Sequence, residues 1–271
     1  MPVTLKTAAE LARMRAAGAV VSACHNAVRA VLRPGATTRE IDDAVYETLV
    51  THRAGPLFLG FPNPDPAGPP FPAVTCISLN EEVVHGIASD RVLEEGDVVS
   101  VDVGARLAGW CGDSGWTYAV GEPSPGDKRL MDFGRGLLAF ALRELPRRAR
   151  WGEIAGPMAA MCAEAGYGVV REFCGHGLGR TMHEDPEVPN YPDEHRANWD
   201  FDLTPGLTLA IEPMLTAGEP TIRISDDDWW TVTTEDGGTA VHFEHTVALV
   251  ERGGRREVEI LTAGVGEPLG V

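Results

Sequence analysis

Acidic residues inside short apolar, strand-like segments constrain this chain more than any other feature. Asp102 lies within VVSVDVG, Asp113 within WCGDSGW, Glu212 within TLAIEPM and Glu244 within AVHFEHTVALV. A histidine, His176, lies between two glycines in REFCGHGLG. Burying an unpaired charge is costly, and four carboxylates turned into one interior would repel each other unless cations held them. The sequence therefore predicts a fold whose strands converge on a metal centre.

Composition narrows the classes of protein to which the chain can belong. Its 271 residues, 44% hydrophobic and 23% charged, allow a substantial buried core. A net charge of −17 argues against non-specific binding to nucleic acid or to anionic membranes. Five cysteines without a C-x-x-C pair argue against a disulfide framework and a thiolate zinc site. No targeting pattern or membrane-length apolar run is visible, so we expect a cytoplasmic protein.

Local signals mark the first elements of the chain. Capping boxes at residues 7–10 and 37–40 predict two helices, which should end near Leu32 and Ala54. Residues 56–73 contain too many prolines for a helix or a central strand and are expected to form a loop.

A predicted hairpin brings two of the acidic residues together. Strands are expected at AVTCISL, VVSVDVGA and WTYAV, with a turn at residues 106–109 between the last two. Asp102 and Asp113 lie at equal distances from the centre of this turn, so their Cβ atoms should be about 5 Å apart on one face. A bulge at Gly109 would shift this register by one residue. Such a pair suits shared metal coordination or a proton-sharing dyad, and two solvated aspartates on a surface hairpin are the alternative.

The order of elements then recurs. Helices are predicted at about 128–145 and 153–166, followed by a strand at GVVREFCG. The stretch 32–45 aligns without gaps on 145–158, and the two agree at a leucine, an alanine and a Glu-Ile pair. We interpret this as an internal duplication with helices packed on one sheet; chance similarity of two amphipathic helices is the alternative. The last third is typical of antiparallel strands, and no linker is visible, so we predict one α+β domain over residues 1–271.

The candidate ligands also indicate the kind of metal site. One imidazole and four carboxylates form an oxygen-rich set, unlike a cysteine-histidine zinc site. Such a set can hold two divalent ions about 3.5–4 Å apart, bridged by a carboxylate and a water. Bridging would convert that water to hydroxide near neutral pH, and hydroxide is a nucleophile suited to amide hydrolysis.

Six segments, in their order and at their intervals, resemble the type I methionine aminopeptidases over nearly the whole chain. They are SLNEEVVHGI, VSVDVG, GDSGWTYAVG, REFCGHGLGRTMHEDP, AIEPM and FEHT. The resemblance implies the pita-bread fold, a pseudo-two-fold duplicated antiparallel sheet covered by helices. It also implies hydrolytic removal of methionine from the N-termini of peptides or nascent proteins with a small second residue. Hydroxide activated by two divalent ions, drawn from Co, Mn, Fe and Zn, would perform the hydrolysis.

The resemblance assigns each metal ligand a role. Asp102 would chelate one ion, and His176 together with Glu212 would bind the other. Asp113 and Glu244 would bridge the two ions.

Substrate contacts are implied in the same way. His85 would assist the reacting amide, His183 would hydrogen-bond the substrate carbonyl, and Glu212 would carry a proton from water to the leaving amine. Five apolar or polarizable residues match the pocket for the methionine side chain, although ordinary core packing would also explain them: Phe58, Phe61, Cys76, Met182 and Trp230.

The remaining histidines have less distinctive surroundings. His25, His52 and His195 are predicted to lie on the surface or on a helix face. His242 and His245 flank a predicted metal ligand, so they either support the ligands or pack in the core.

Two features depart from the family pattern. A proline-rich insertion at about residues 62–73 separates Phe61 from Cys76, and it is either an inert surface excursion or a lid that narrows substrate choice. Residues 218–230 carry an acidic run, whereas family members that act on nascent chains are thought to dock at the ribosome through basic surface. We therefore expect a monomer whose ribosome contact is weak or uses another surface.

Two other functions stay open at this point. A prolidase or X-Pro aminopeptidase shares the fold and the five ligands, but such enzymes usually carry a large additional N-terminal domain, for which there is no room before Asp102. A catalytically silent binding protein of the same fold would be expected to lose ligands or gain basic surface. All five ligands and both accessory histidines are present here, and the charge is acidic.

Overall fold

The computed structural model describes residues 3–193, 195, 199–266 and 269. Four helices are present in this part of the chain: α1 (Ala8–Val31), α2 (Thr38–Thr51), α3 (Pro125–Glu144) and α4 (Gly152–Ala165). The strands are β1 (Gly55–Pro56), β2 (Cys76–Leu79), β3 (Glu82–Val84), β4 (Val98–Leu107), β5 (Trp110–Ala119), β6 (Gly168–Val169), β7 (Gly175–Gly177), β8 (Glu184–Val188), β9 (Thr208–Ile211), β10 (Met214–Thr216), β11 (Ile222–Ile224), β12 (Val232–Thr234), β13 (Ala240–His242), β14 (His245–Arg252) and β15 (Arg255–Ile260). Their pairing is antiparallel throughout, which confirms the predicted α+β class.

Capping determines where the helices begin. Thr7 and Thr37 each accept the amide of a glutamate three residues later, and each glutamate side chain accepts the threonine amide, so both predicted capping boxes are confirmed. Helix α4 ends at Gly166, whose φ of 75° lies in the left-handed region that a residue without a Cβ adopts at little cost. The described helices are each too short or too polar to cross a bilayer.

The two halves of the chain repeat one construction. In each half, the loop before the second helix is bound to the segment that leads into a central strand. The Leu93 amide donates to the Ala36 carbonyl at 2.8 Å, and the Leu203 amide donates to the Ala149 carbonyl at 2.8 Å. Ala36 and Ala149 are matched residues in the two stretches that align in the sequence. This correspondence supports the internal duplication.

Backbone hydrogen bonds divide the strands into four sheets, not the single sheet expected. β4 pairs with β1, β2 and β5; the other sheets have the orders β15-β14-β9-β7-β8, β13-β10-β6 and β11-β12-β3. The ladder of backbone hydrogen bonds is interrupted where β5 lies beside β13 and β14. Along this boundary, called the seam below, threonine hydroxyl groups bond to backbone groups of the facing strand. Thr117 Oγ1 accepts the His242 amide at 2.9 Å, and Thr246 Oγ1 donates to the Asp113 carbonyl at 2.7 Å. The seam places Asp113 close to Glu244.

The register predicted for the β4–β5 hairpin is wrong. The turn consists of two residues, Ala108 and Gly109, with φ angles of 50° and 81°, and such turns match the twist of the flanking strands. Asp102 consequently lies opposite Gly115 and not opposite Asp113. The shift is two residues, which keeps both aspartates on one face as diagonal neighbours. The predicted proximity therefore survives, although the predicted pairing does not.

Two element boundaries also differ from prediction. GVVREFCG does not form one strand, because β6 pairs with β10 whereas β7 pairs with β8 and β9 in another sheet. Helix α2 ends at Thr51, a few residues before the predicted end near Ala54. Residues 57–73 contain no helix or strand, as predicted, but Pro56, the first residue of the predicted loop, belongs to the short edge strand β1.

His25 was predicted to lie on the surface or on a helix face, and the structure places it on the buried face of α1. Its ring is completely buried, and its two nitrogens lie 2.9 Å from the Tyr118 hydroxyl and from the Ser114 carbonyl oxygen. Burial lowers the pKa of His25 to about 4. His52 and His195 are exposed, as predicted.

Close backbone contacts fix α1 against the sheet. A Cβ on Gly18 would lie 2.1 Å from the carbonyl oxygen of Leu261, and a Cβ on Gly112 in β5 would lie 2.8 Å from the amide nitrogen of Gly18. Gly18→Ala is therefore expected to destabilise the protein by about 2–4 kcal/mol, because neither backbone can rotate away. Thermal unfolding followed by circular dichroism measures the effect.

Gly136→Ala is the matched control, since this α3 glycine has no atom within 4 Å of its added Cβ. It is expected to be neutral or slightly stabilising, because alanine has the higher helix propensity. Equal melting temperatures for the two variants would contradict the close-contact explanation.

Candidate metal centre

The five predicted ligands line one cavity of about 250 Å³. Ligand atoms of Asp113, His176 and Glu244 all lie within 4.8 Å of one another. Glu212 adjoins this group, with its Oε1 3.6 Å from His176 Nε2. Asp102 completes the set, since it lines the same cavity and is the diagonal neighbour of Asp113 on the paired strand. The structure thus brings together all five residues that the sequence singled out.

Each ligand comes from a different strand or strand end. Asp102 and Asp113 belong to β4 and β5, and His176 belongs to β7. Glu212 directly follows β9. Glu244 lies in a break between β13 and β14, where the sequence predicted one continuous strand. At this break the Glu244 amide leaves its own sheet and donates to a carbonyl of β5 at 2.7 Å, which turns the residue toward the seam.

The carboxylates are too close together to ionise independently. Burial, followed by the charge of Glu212, raises the pKa of Asp102 to about 6, although the charge of His242 opposes this. Burial and repulsion by the neighbouring acids raise the pKa of Asp113 and of Glu244 well above the usual range. These shifts have the physical causes expected of buried carboxylates that lie close to one another.

Unsatisfied oxygen atoms show that the cluster fits a cation. The Oδ1 atoms of Asp102 and Asp113 are buried and have no hydrogen-bond partner among the described residues. Buried polar atoms in proteins are normally paired, so such orphans need an explanation. Divalent cations are bound by carboxylate oxygens together with imidazole nitrogen, which is the donor set present here.

His242 supports the ligands, whereas His245 belongs to the core. His242 Nε2 lies 3.5 Å from Glu212 Oε2 and 4.0 Å from Glu244 Oε2. Burial alone would lower the pKa of His242, but the adjacent carboxylates of Glu212 and Asp102 raise it above the usual value. A Cβ on Gly115 would lie 2.7 Å from the His242 ring, so this ring position requires a glycine in β5. His245 is buried, and burial lowers its pKa to about 3.

The rest of the cavity wall is apolar. It includes all five residues predicted to surround the methionine side chain: Phe58, Phe61, Cys76, Met182 and Trp230. Four of them also pack in one hydrophobic cluster, so core packing and pocket lining are compatible here. The sequence analysis did not single out Phe71 and Phe173, which also line the cavity. Two sequence features could have identified them: Phe71 is an aromatic residue inside the proline-rich loop, and Phe173 lies three positions before the candidate ligand His176.

His85 and His183 lie at the cavity, as the resemblance implied. The His85 backbone has a φ of 60°, which is uncommon for a residue other than glycine and recurs at functional sites. Its ring meets Phe173 edge-on at 5.1 Å, and the His183 ring meets His176 edge-on at 4.4 Å. Burial lowers the pKa of both rings to about 4. Each ring is therefore neutral at pH 7 and offers one donor and one acceptor nitrogen.

A buried ion pair supports the loop that carries His183. Lys6 Nζ lies 2.7 Å from Glu184 Oε2, and the lysine side chain is 3% exposed. Glu184 Oε1 accepts the amides of Arg180 and Thr181 at 2.8 and 3.1 Å. Burial would raise the pKa of Glu184, but the hydrogen bond from Lys6 and those from the loop amides hold it below its usual value. The loop is thereby attached to the segment that precedes α1.

Lys6→Met is expected to lower kcat/KM by about tenfold and to destabilise the fold by about 2 kcal/mol, because it leaves the Glu184 carboxylate without its counter-charge. Peptide hydrolysis and thermal unfolding measure the two effects. Lys128→Met is the matched control, because Lys128 is the only other lysine in the chain and is exposed on α3. Equal activity of the two variants would contradict a positioning role for Lys6.

Comparison with known proteins agrees with this site. The sequence profile of metallopeptidase family M24 matches residues 12–251. The chain is similar to methionine aminopeptidase 1 of Bacillus subtilis, with 39% identity over 248 residues that cover 92% of this chain and 96% of the relative. Among solved structures, it is similar to the methionine aminopeptidase of Thermotoga maritima. That match has a TM-score of 0.87 and 37% identity, and it covers 96% of this chain and 99% of the other.

A more distant neighbour shows the fold alone. The prolidase from Pyrococcus furiosus superposes with a TM-score of 0.68 at 20% identity, covering 95% of this chain but 65% of the prolidase. These neighbours confirm the pita-bread fold that the sequence motifs implied. The family match and the buried cluster of aspartate, histidine and glutamate indicate the use of divalent metal. This chain belongs to metallopeptidase family M24.

Proposed function

We propose that this chain is a metal-dependent aminopeptidase that removes methionine from the N-termini of peptides and proteins with a small second residue. One observation carries the proposal: the cluster of oxygen and nitrogen donors and a wall of aromatic, thioether and thiol side chains line the same cavity. Such a wall suits the polarizable thioether of methionine. The similarity to enzymes named methionine aminopeptidases supports the same activity.

We propose that five residues hold two divalent ions. Asp113 and Glu244 would be shared by the two ions, Asp102 would hold one, and His176 with Glu212 would hold the other. Bound ions would polarise the scissile carbonyl and lower the pKa of the attacking water. Mn, Fe, Co and Zn all suit this donor set.

The side chains around the ligands do the remaining work. His183, neutral at pH 7, donates its N–H to the substrate carbonyl oxygen and so stabilises the charge that develops there. His85, also neutral, contacts the reacting amide. Glu212 accepts a proton from the attacking water and passes it to the nitrogen of the leaving amine, so the peptide bond breaks without a free amide anion. The apolar wall holds the methionine side chain and excludes water.

The setting of the reaction follows from the same features. We propose that the protein acts as a monomer in the cytoplasm, on the N-termini of peptides or nascent chains. The five cysteines, all in the described part of the chain, form no disulfide bonds with one another, which suits a reducing compartment. The net charge of −17 opposes docking on nucleic acid, on anionic membranes, or on the ribosome through basic surface.

Cleavage of Met-Ala-Ser and of Ala-Pro peptides by the purified protein, with anaerobic Fe(II) or with Mn(II), tests the activity. We expect hydrolysis of Met-Ala-Ser and none of Ala-Pro. Preferred hydrolysis of Ala-Pro would support an X-Pro peptidase, which shares the fold. Failure to bind metal under saturating Mn(II), Co(II) or Fe(II) would support a catalytically silent binding protein.

A further inference from the structure

A second cavity, of about 310 Å³, adjoins the cavity that holds the metal ligands. The two share part of their lining, so a single layer of side chains separates them; the shared residues are Pro64, His85, Phe173 and Trp230. The outer walls of the second cavity come from two segments that are distant in sequence. One is the proline-rich segment, residues 62–73, and the other is the acidic segment, residues 222–230.

The proline-rich segment is fastened to the acidic segment, so this cavity is preformed. Asn63 Nδ2 donates to the Trp229 carbonyl at 3.0 Å, and Trp230 Nε1 donates to the Pro69 carbonyl at 2.9 Å. The ring of Phe71 meets Trp230 edge-on at 5.2 Å. These contacts hold the proline-rich segment against the acidic segment.

The floor of the second cavity exposes large apolar side chains. Trp229 is 43% exposed and Ile224 is 56% exposed, although burial of such side chains is favourable. Trp229 also has a φ of 68°, which is strained for a bulky residue. The turn is held by Asp228, whose carboxylate accepts the amides of Trp230 and Thr231 at 2.8 Å each. A rigid turn therefore presents the Trp229 ring toward the cavity.

The rim of the cavity carries two negatively charged side chains. Asp65 and Asp226 are exposed and line the cavity, one from each wall. Its lining, within the part of the chain that the structure describes, includes no lysine or arginine. A long aliphatic stem that ends in a cation matches an apolar floor with an acidic rim, because the stem packs on the indole while the charge stays in water.

We propose that the second cavity is a subsite for the substrate chain beyond the scissile bond, and that it selects a lysine or arginine side chain there. This inference rests on the proposed function. An aminopeptidase holds the first residue of its substrate at the metal centre, so only later residues can reach an adjoining cavity. The rings in the shared wall, His85 with Phe173 and His85 with Trp230, are centred 5.1 and 6.2 Å apart. Because an extended chain advances about 3.3 Å per residue and one layer of side chains separates the two cavities, the third and fourth substrate residues are the candidates for this subsite.

Matched peptides test the assignment. Met-Ala-Lys-Ser-Gly and Met-Ala-Ser-Lys-Gly are compared with versions that carry norleucine or glutamate in place of lysine. Norleucine keeps the stem and removes the charge. At one of the two positions, kcat/KM for lysine is expected to exceed that for norleucine by about tenfold, and that for glutamate by more. High salt should reduce these ratios, because the rim charges are exposed.

Variants separate the contributions of charge and stem. In the double variant Asp65→Asn with Asp226→Asn, kcat/KM for the lysine peptide is expected to fall to that for the norleucine peptide. Asp65→Lys with Asp226→Lys is expected to reverse the preference toward glutamate. Trp229→Ala should lower kcat/KM for the lysine and norleucine peptides by the same factor. Asp43→Asn, at an exposed aspartate on α2, is the matched control and should change none of the ratios.

The outcomes distinguish this inference from the function on which it rests. If no methionine peptide is hydrolysed, the proposed function fails. If all of them are hydrolysed at rates within twofold of one another, only the subsite fails. A lysine preference that persists in the double asparagine variant, or a charge reversal that leaves the preference unchanged, would also overturn the subsite.

Discussion

His176→Ala is expected to lower kcat/KM for methionine peptides by at least about 1,000-fold, even with divalent metal in excess. The reason lies in the geometry of the cluster. His176 provides the only imidazole among ligand atoms that all lie within 4.8 Å of one another in the described part of the chain. Its removal leaves carboxylates that repel each other and a site with one donor fewer. Asp102→Ala should have an effect of similar size, because this variant removes a separate ligand on β4.

The measurement is peptide hydrolysis together with the metal content of the purified variants. His52→Ala is the matched control, because His52 is exposed at the end of α2. It should keep the activity of the unchanged protein. Turnover retained in His176→Ala at saturating metal would refute the assignment of the site.

Asp113→Asn is expected to raise the melting temperature of the metal-free protein at pH 8 and to abolish the stabilisation that Mn(II) confers. Burial and the neighbouring acids raise the pKa of Asp113 well above the usual range, so its ionised form opposes folding when no cation is bound. Removing this charge should stabilise the metal-free protein by about 1–3 kcal/mol. In the unchanged protein, metal at 100 times its Kd should add about 2.7 kcal/mol.

The sign of the pH dependence follows from the direction of these shifts. A carboxyl group whose pKa is raised on folding stabilises the fold at low pH, and this contribution is lost as pH rises through the folded pKa. For Asp102 the loss extends from its ordinary value of 3.8 to about 6. His25 and His245 act in the opposite direction, because their lowered pKa values of about 4 and 3 make stability rise with pH up to about 6.5.

The difference between Asp113→Asn and the unchanged protein cancels the contributions of these histidines. That difference, measured by thermal unfolding without metal, should grow from pH 4 to pH 8. Asp43→Asn should show no such growth, since Asp43 is exposed on α2. A constant difference across this range would contradict the electrostatic account of the cluster.

Features that depend on neighbouring residues were predicted correctly. The two capping boxes, the loop over residues 57–73 and the helix that ends at Val31 follow from hydrogen bonds and dihedral limits within a few residues. The convergence of the ligands could also be predicted, because unpaired acids in apolar strands are too costly to bury apart. The hairpin register could not be predicted, because it depends on which two residues, Ala108 and Gly109, take positive φ angles.

Side chains that act between distant segments were the hardest to predict. His25 looks like a helix-face residue in the sequence, yet its partners are Ser114 and Tyr118, 89 and 93 residues away in the chain. The position of the proline-rich segment likewise depends on a hydrogen bond from Asn63 to Trp229, across 166 residues. No local sequence pattern predicts either contact.

By itself, the sequence determined which residues are the candidates for the metal centre and which segments form helices, because capping, proline content and the cost of buried charge are local properties. Only the tertiary structure decided how those residues meet. The seam that places Asp113 beside Glu244 is closed by Thr246, 133 residues from Asp113. The wall shared by the two cavities is likewise assembled from separate segments. Such contacts depend on how whole segments pack, which no single stretch of residues encodes.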